Sequence, residues 1–239
     1  MSVELAPLVE DLVRVTNHYK PNSNRLSELR LVTVLPIVAP SCMGKSTTMS
    51  NVAEREGFTQ AISFTTRPRR EDEPAGAYAF RPHTREELSK IFGDVMAGSL
   101  VQCTVHPNGG VYGTDFKAYR PPYSLVDPLP SEIAKLQALR FRAVKPIALI
   151  APPADYKTYV AERFANASEY THGKMVREGI SNLEWSLDQG EKLPWVINAC
   201  DQQQATADAV VRIANGEFEP DPAGRQLGEA VLKQLRAWA

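Results

Sequence analysis

The chain has 239 residues, of which 43% are hydrophobic and 23% are charged, and its formal net charge is −1. A chain of this length can bury a full core, and its near-zero charge excludes an overall field that gathers nucleic acid, so anion binding must come from local basic clusters. Without an 18-residue apolar run or a leader-like N-terminus, we expect a cytoplasmic protein that does not contact membranes, with its three cysteines reduced.

Helices and strands are predicted to alternate along the chain. Apolar residues at helical spacing predict a helix over residues 3–19, which ends at Lys20-Pro21. Apolar runs predict strands at 31–38, around 58–65, and at 100–105, 123–127, 145–151 and 194–198. The longest helix-compatible segment covers 162–187, and a last helix is expected over 225–238. This alternation predicts an α/β fold with a parallel sheet.

A phosphate-binding loop is predicted between the first strand and the helix that follows it. The residues Ala39-Pro40-Ser41-Cys42-Met43-Gly44-Lys45-Ser46 match the pattern G-x-x-x-x-G-K-[ST], except that Ala39 replaces the first glycine. In such loops backbone N–H groups surround a polyphosphate, the lysine reaches it and the hydroxyl ligates Mg²⁺. A Cβ at Ala39 makes a positive φ costly, so the loop is either distorted or tolerant there. The residues expected to bind nucleotide are Ser41, Cys42, Met43, Gly44, Lys45, Ser46 and Thr47.

A second anion-binding cluster is predicted directly after a strand. Arg67, Arg69 and Arg70 place three guanidinium groups within four residues. Guanidinium groups are planar, bidentate donors that suit phosphate oxygens, and the alternative is a solvated run of charges. The nearby phosphate loop favours the phosphate site.

Together these two motifs resemble guanylate kinase. The segment Ser63–Arg70 has the pattern S-x-T-T-R-x-x-R and follows P-S-x-x-G-K-S, and further similar islands cover roughly residues 31–215. The islands are Gly76–Phe80, Arg85–Leu88, Val111–Thr114, Leu125–Asp127, Ile147–Pro153 and Val196–Asn198. The resemblance implies a P-loop NTPase-type three-layer α/β fold at 31–215, with a small β-rich acceptor-binding subdomain at about 62–120 and a helical lid at about 160–190. A helical extension (1–30) and a C-terminal tail with a helix (216–239) flank it.

The resemblance also implies an enzyme that transfers the γ-phosphoryl group of ATP, with Mg²⁺, to a nucleoside or deoxynucleoside monophosphate. By the family's motifs the catalytic residues are Lys45, Arg67, Arg70, Asp127, Arg163 and Arg177. Ser46 and Asp127 are implied at the metal, and Asn198 near the adenine of ATP. The acceptor is implied to contact Ser63, Arg67, Arg70, Tyr78, Gln102, Tyr112 and Thr114. From the residues alone, Asp127 could instead close a turn at Pro128, and the two tyrosines could be core aromatics.

The resemblance fails in the base pocket and in the lid. Gln102 aligns where the family uses a glutamate to read guanine, and Leu129 aligns where a second acidic residue helps. An amide has a donor and an acceptor, so Gln102 suits guanine, the imide edge of uracil or thymine, or adenine. In the lid, Asn166-Ala167 stands where the family has Arg-Gly. The acceptor base therefore stays open.

Three functions follow as hypotheses. The first is the monophosphate kinase. The second is a P-loop kinase that phosphorylates a sugar phosphate or a modified base in DNA, which alone makes nucleic acid a partner. The third is a non-catalytic guanylate kinase-like binding module, which Lys45 and Ser46 disfavour because such modules usually lack an intact phosphate loop. The sequence does not define an oligomeric state.

Overall fold

The structure is a computed structural model that describes residues 5–69, 76–106, 109–165, 169–200, 202–217 and 222–239. The helices of this part of the chain are α1 (Ala6–Thr16), α2 (Lys45–Ala53), α3 (Arg85–Met96), α4 (Pro130–Gln137), α5 (Pro153–Arg163), α6 (Glu169–Asp188), α7 (Gln203–Asn215) and α8 (Pro222–Trp238). The strands are β1 (Thr33–Val38), β2 (Phe58–Gln60), β3 (Phe64–Thr65), β4 (Ala79–Phe80), β5 (Leu100–Val105), β6 (Val111–Asp115), β7 (Tyr123–Val126), β8 (Ala143–Val144), β9 (Ile147–Ile150) and β10 (Trp195–Ile197). Within these ranges, no helix has both the length and the apolar character needed to cross a membrane.

The chain divides into two compact units. Unit 1 consists of Met1–Val32 and Ala61–Arg120, and unit 2 consists of Thr33–Gln60 and Pro121–Ala239. The strand predicted around 58–65 is wrong as one element, because β2 pairs with β7 in unit 2 whereas β3 pairs with β6 in unit 1. The chain leaves one sheet and enters another between Gln60 and Phe64.

Unit 2 is a three-layer α/β arrangement around a parallel sheet. The strand order is β10-β9-β1-β7-β2, and β8 extends the sheet beside β1. All six residues of β1 are buried, as expected for a central parallel strand that helices cover on both faces. The helices pack in two groups: α2 contacts α7, and α8 contacts both α5 and α6. Residues of α6, including Met175, Val176 and Leu183, belong to the buried core of this unit.

Unit 1 is a small mixed sheet covered by two helices. The strand order is β4-β3-β6-β5, with β3 antiparallel to β6 and β6 antiparallel to β5. The helix α3 begins at the cap Thr84, whose hydroxyl accepts from the N–H of Glu87, and buries Leu88, Ile91 and Val95 at helical spacing. The N-terminal helix α1 packs against α3 and β5. These helices and strands share one apolar core.

Candidate functional site

The loop of unit 2 that the sequence predicts to bind phosphate (residues 39–46, hereafter the phosphate loop) lies where the strand order reverses. The chain runs from β1 to β2, returns to β7 beside β1, and then continues to β9 on the other side of β1. In open parallel sheets, ligands bind outside the carboxyl ends of the strands at this kind of reversal. The loop that follows β1 at Val38 therefore occupies the position that favours a ligand.

The backbone of the loop has two residues in the left-handed conformation. Cys42 has φ 68° and Gly44 has φ 75°, and Cys42 is the sole non-glycine residue with positive φ in the described segments. Ala39, which replaces the first glycine of the motif, does not need a positive φ, so its Cβ is tolerated. Its carbonyl accepts a hydrogen bond from the side-chain amide of Asn182 at 3.1 Å.

Asn198 holds the loop by a hydrogen bond at Met43. Its side-chain Nδ2 donates to the carbonyl of Met43 at 2.9 Å, and its Oδ1 accepts from the hydroxyl of Thr206 at 3.0 Å. Its backbone N–H donates to the carbonyl of Ile150 at 2.7 Å. A Cβ at Gly44 would lie 2.3 Å from Nδ2 of Asn198, so glycine is required there by space as well as by φ. The sequence motifs do not indicate that Thr206 bonds to Asn198.

Lys45 and Asp127 form an ion pair at the carboxyl ends of β1 and β7. The distance from Nζ to the carboxylate is 2.6 Å, and the side chains are 20% and 42% exposed. Lys45 is the first residue of α2, so the positive end of that helix faces the same place. The hydroxyl residues Ser46 and Thr47 follow it and are exposed. Oxygen donors of this kind, together with a carboxylate, fit Mg²⁺.

A pocket with a volume of about 300 Å³ opens beside the loop. Its walls are Cys42, Gly44, Thr47, Thr48, Tyr159, Asn198, Ala199, Cys200 and Gln203. Asn198 thus lies in the pocket wall, but its amide is already bonded to the loop and to Thr206. The structure adds Tyr159 and Gln203, which the sequence motifs do not indicate.

The predicted lid arginines occupy separate helices of unit 2. Arg163 is the last residue of α5 and Arg177 lies on α6, and both are exposed. Burial raises the pKa of the Cys42 thiol, which the positive charge of Arg163 and its hydrogen bond to the thiol partly oppose. Arg163 is therefore close to the phosphate loop. Asn166 and Ala167 lie outside the described residues.

In unit 1, Arg67 is held in a cage of aromatic side chains. The residue is 8% exposed, and its Nε donates to the hydroxyl of Tyr112 at 3.0 Å. Its guanidinium carbon lies 5.1 Å from the ring centroid of Tyr78 and 5.5 Å from that of Phe80, a cation–π geometry. Its Nη1 donates to the carbonyl of Pro68 at 2.9 Å. The structure thus brings three predicted acceptor residues together, whereas Arg70 lies outside the described residues.

The residues predicted to line the base pocket form a hydrogen-bonded row that joins β5, β6 and the residue just before β3. The Oγ atoms of Ser63 and Thr114 are 2.7 Å apart, and Nε2 of Gln102 donates to Thr114 at 3.2 Å. Tyr119 is buried as well, and this burial raises the pKa of its phenol. Oε1 of Gln102 is buried and has no hydrogen-bond partner in the described part of the chain.

A further polar contact lies at Thr66, between the end of β3 and Arg67. The hydroxyl of Thr66 accepts from the backbone N–H of Val111 at 3.0 Å, and it is 3.0 Å from Nδ1 of His83. These bonds anchor the segment that precedes Arg67 to β6. Over the described ranges, no three or more His, Cys, Asp or Glu residues are grouped so as to hold a metal ion.

No protein-family model matches the chain, and no curated protein matches it. Among solved structures, the chain is similar to guanylate kinase from Anaplasma phagocytophilum, with 18% sequence identity, 80% of this chain and 87% of that chain covered, and a TM-score of 0.45. The sequence motifs resemble those of guanylate kinase. A likeness at this identity and TM-score carries no argument about this chain, so the function must come from the residues of the site.

Proposed function

We propose that the protein is an ATP-dependent kinase that transfers the γ-phosphoryl group of ATP to a nucleoside or deoxynucleoside monophosphate. The observation that carries the proposal is the phosphate loop of unit 2, with its two left-handed residues and Lys45 at the start of α2. Successive N–H groups in such a loop make a concave site for polyphosphate oxygens. Unit 2 would thus bind the phosphoryl donor.

Lys45 and Asp127 supply the charges that the donor requires. Lys45 would exchange its carboxylate partner for phosphate oxygens of ATP, which leaves Asp127 available near the metal together with Ser46. Bound Mg²⁺ supplies charge neutralisation of the phosphoryl oxygens.

Unit 1 supports an acceptor that also carries a phosphate. Arg67 is buried between two aromatic rings with a fixed fork of donors, which is a geometry suited to a phosphate group. Phosphoryl transfer needs positioning and positive charge more than covalent assistance. The row of Ser63, Gln102 and Thr114 would contact the base of the acceptor.

The proposal is tested by ADP release with each common nucleoside and deoxynucleoside monophosphate, and by identification of the diphosphate product. Lys45→Ala is expected to lower kcat by about 10² to 10³, the loss typical of one preorganised charge donor. The matched control is Lys135→Ala, because Lys135 forms a similar ion pair at 2.9 Å on an exposed helix of the same unit. This control should leave the rate unchanged.

Two outcomes would contradict the proposal. Labelled phosphate that appears on DNA or on a sugar phosphate, and never on a free nucleotide, would indicate a different acceptor. ATP affinity that is unaffected by Lys45→Ala, with no turnover of any acceptor, would indicate a binding module.

A further inference from the structure

The helix α6 contacts the start of the phosphate loop within unit 2. Nδ2 of Asn182 donates to the carbonyl of Ala39 at 3.1 Å. We propose that Asn182 is a positioning residue for the phosphoryl donor: its hydrogen bond fixes the loop in the conformation that receives the phosphates, so donor binding depends on the placement of α6. The inference rests on the proposed function, because it takes the phosphate loop as the donor site.

The phosphate loop needs support from outside because its own conformation is unfavourable. Cys42 has φ 68° and Gly44 has φ 75°, and a left-handed φ is costly for a residue that has a Cβ. Backbone of this kind persists where the surrounding structure fixes it. Asn198 does so at the carbonyl of Met43. The first residue of the loop is held instead by Asn182 of α6.

The peptide bond between Ala39 and Pro40 offers one polar group for this purpose. Proline has no backbone N–H, so the carbonyl of Ala39 is the only hydrogen-bonding group of that peptide. Ala39 directly follows β1 and is 2% exposed, so water has little access to this carbonyl. A buried carbonyl without a partner is unfavourable. If Nδ2 of Asn182 were removed, the start of the loop would shift until its carbonyl found another donor, and the N–H groups that follow would move with it.

The helix α6 is itself fixed between the phosphate loop and α8. Gly179 is buried and lies three residues before the asparagine, on the same face of the helix. A Cβ at Gly179 would lie 3.5 Å from Cβ of Pro40 and 2.9 Å from Cδ1 of Leu235. Further along α6, Glu184 forms an ion pair at 2.8 Å with Arg236 of α8. The contact with α8 therefore sets the distance from α6 to the loop, and the asparagine transmits it.

The test is the dissociation constant of ATP with Mg²⁺, measured by titration calorimetry on the full-length protein. Asn182→Asp has nearly the same shape but no Nδ2 donor, and Asn182→Leu removes the donor without adding charge. We expect both variants to raise the Kd for ATP by about tenfold, the effect of one hydrogen bond lost at a buried carbonyl. In turnover, the KM for ATP should rise while the KM for the acceptor stays unchanged. A loss confined to Asn182→Asp would come from its charge and would overturn the proposal.

Ser186→Ala is the control for the stability of α6. Ser186 is 1% exposed, and its hydroxyl donates to the backbone carbonyl of Asn182 at 2.8 Å, so this variant weakens the helix without removing the contact with the loop. Urea unfolding should show a lower stability, whereas the Kd for ATP should stay within about twofold of the wild-type value. If Ser186→Ala weakens ATP binding as much as the Asn182 variants do, the effect comes from helix stability and the positioning role is wrong.

Failure of the proposed function and failure of this inference give different results. If the wild type does not bind ATP, the proposed function is wrong and the inference falls with it. If the wild type binds ATP and the Asn182 variants bind it within about threefold, the positioning role alone is refuted. If the variants do not fold, hydrogen exchange of the wild type decides: ATP should slow exchange in α6 around Asn182 as well as in the loop, and protection confined to the loop would refute the inference.

Discussion

Gly44 is the position where the phosphate loop should tolerate least change. A Cβ there would adopt a left-handed φ of 75°, which is unfavourable by about 1 to 2 kcal/mol. The same Cβ would lie 2.3 Å from Nδ2 of Asn198, so the amide must leave the carbonyl of Met43, and a buried carbonyl without a partner is unfavourable by about 1 to 3 kcal/mol. Together, Gly44→Ala should lower the free energy of unfolding by about 2 to 5 kcal/mol.

Gly216 provides the matched control for this substitution. It has φ 82° at the end of α7, and no heavy atom lies within 4 Å of the position its Cβ would take. Gly216→Ala should therefore show the conformational term alone, about 1 to 2 kcal/mol. The difference between the two variants isolates the contact with Asn198.

A double-mutant cycle of Gly44→Ala with Asn198→Ala separates the two terms further. Asn198→Ala removes the clashing amide and also the hydrogen bond, so the double variant should be more stable than the sum of the two single losses by about 1 kcal/mol or more. Urea unfolding and ATP titration calorimetry give the stabilities and the loop's affinity. Additive losses within about 0.3 kcal/mol, or equal losses for Gly44→Ala and Gly216→Ala, would refute the argument.

Asp127→Asn breaks the ion pair with Lys45, and we expect kcat measured by ADP release to fall by about 10²-fold. The free energy of unfolding should fall by less than about 1 kcal/mol, because the pair is partly exposed. Asp208→Asn breaks a comparable exposed pair at 2.7 Å and should leave kcat unchanged. Arg67→Lys loses the planar fork between two rings, so steady-state kinetics should show an acceptor KM raised by about tenfold and an unchanged KM for ATP. Burial raises the pKa of Tyr19 from 10.0 to about 12, so the folded state keeps a proton that the unfolded state loses and stability should fall as pH rises from about 10 to 12. Tyr19→Phe should weaken this fall in urea unfolding measured between pH 9 and 12, while lowering stability by about 1 to 3 kcal/mol because two backbone hydrogen bonds at β5 are lost.

The strand, loop and helix start around residues 39–46 were predictable because their signal is local. An apolar run, a loop of defined spacing and a helix start are contiguous from Leu31 to Ala53, and the strand and the helix appear where the pattern places them. Ala39 was expected to distort the loop or be tolerated, and the structure shows tolerance, with the positive φ values at Cys42 and Gly44. The strand order around β1 then places the carboxyl ends of β7 and β10 at the same edge of the sheet.

The contacts that hold the site could not be predicted in the same way. Asn182 reaches the carbonyl of Ala39 across 143 positions of sequence, and Nδ2 of Asn198 reaches Met43 across 155. A contact between residues so far apart produces no repeating pattern of residue types, so it cannot be found in a single sequence. The strands β3 and β4 have two residues each, which is too short for an alternating pattern to register. The sequence predicts one helix-compatible segment over 162–187. In the structure this range contains the end of α5 at Arg163 and most of α6, which begins at Glu169.

The residues proposed to contact the acceptor form two separate sets of hydrogen bonds along β6. Tyr112 and Thr114 are two residues apart on β6, so they lie on the same face about 7 Å apart. Tyr112 holds the guanidinium of Arg67, and Thr114 holds the amide of Gln102. A change at Gln102 therefore alters the hydrogen bonds of Thr114 without removing the partner that Arg67 has in Tyr112. Under the proposed function, substitutions at Gln102 should change the order of acceptors and leave the KM for ATP unchanged, because Gln102 takes part neither in the hydrogen bond between Arg67 and Tyr112 nor in the ion pair of Lys45.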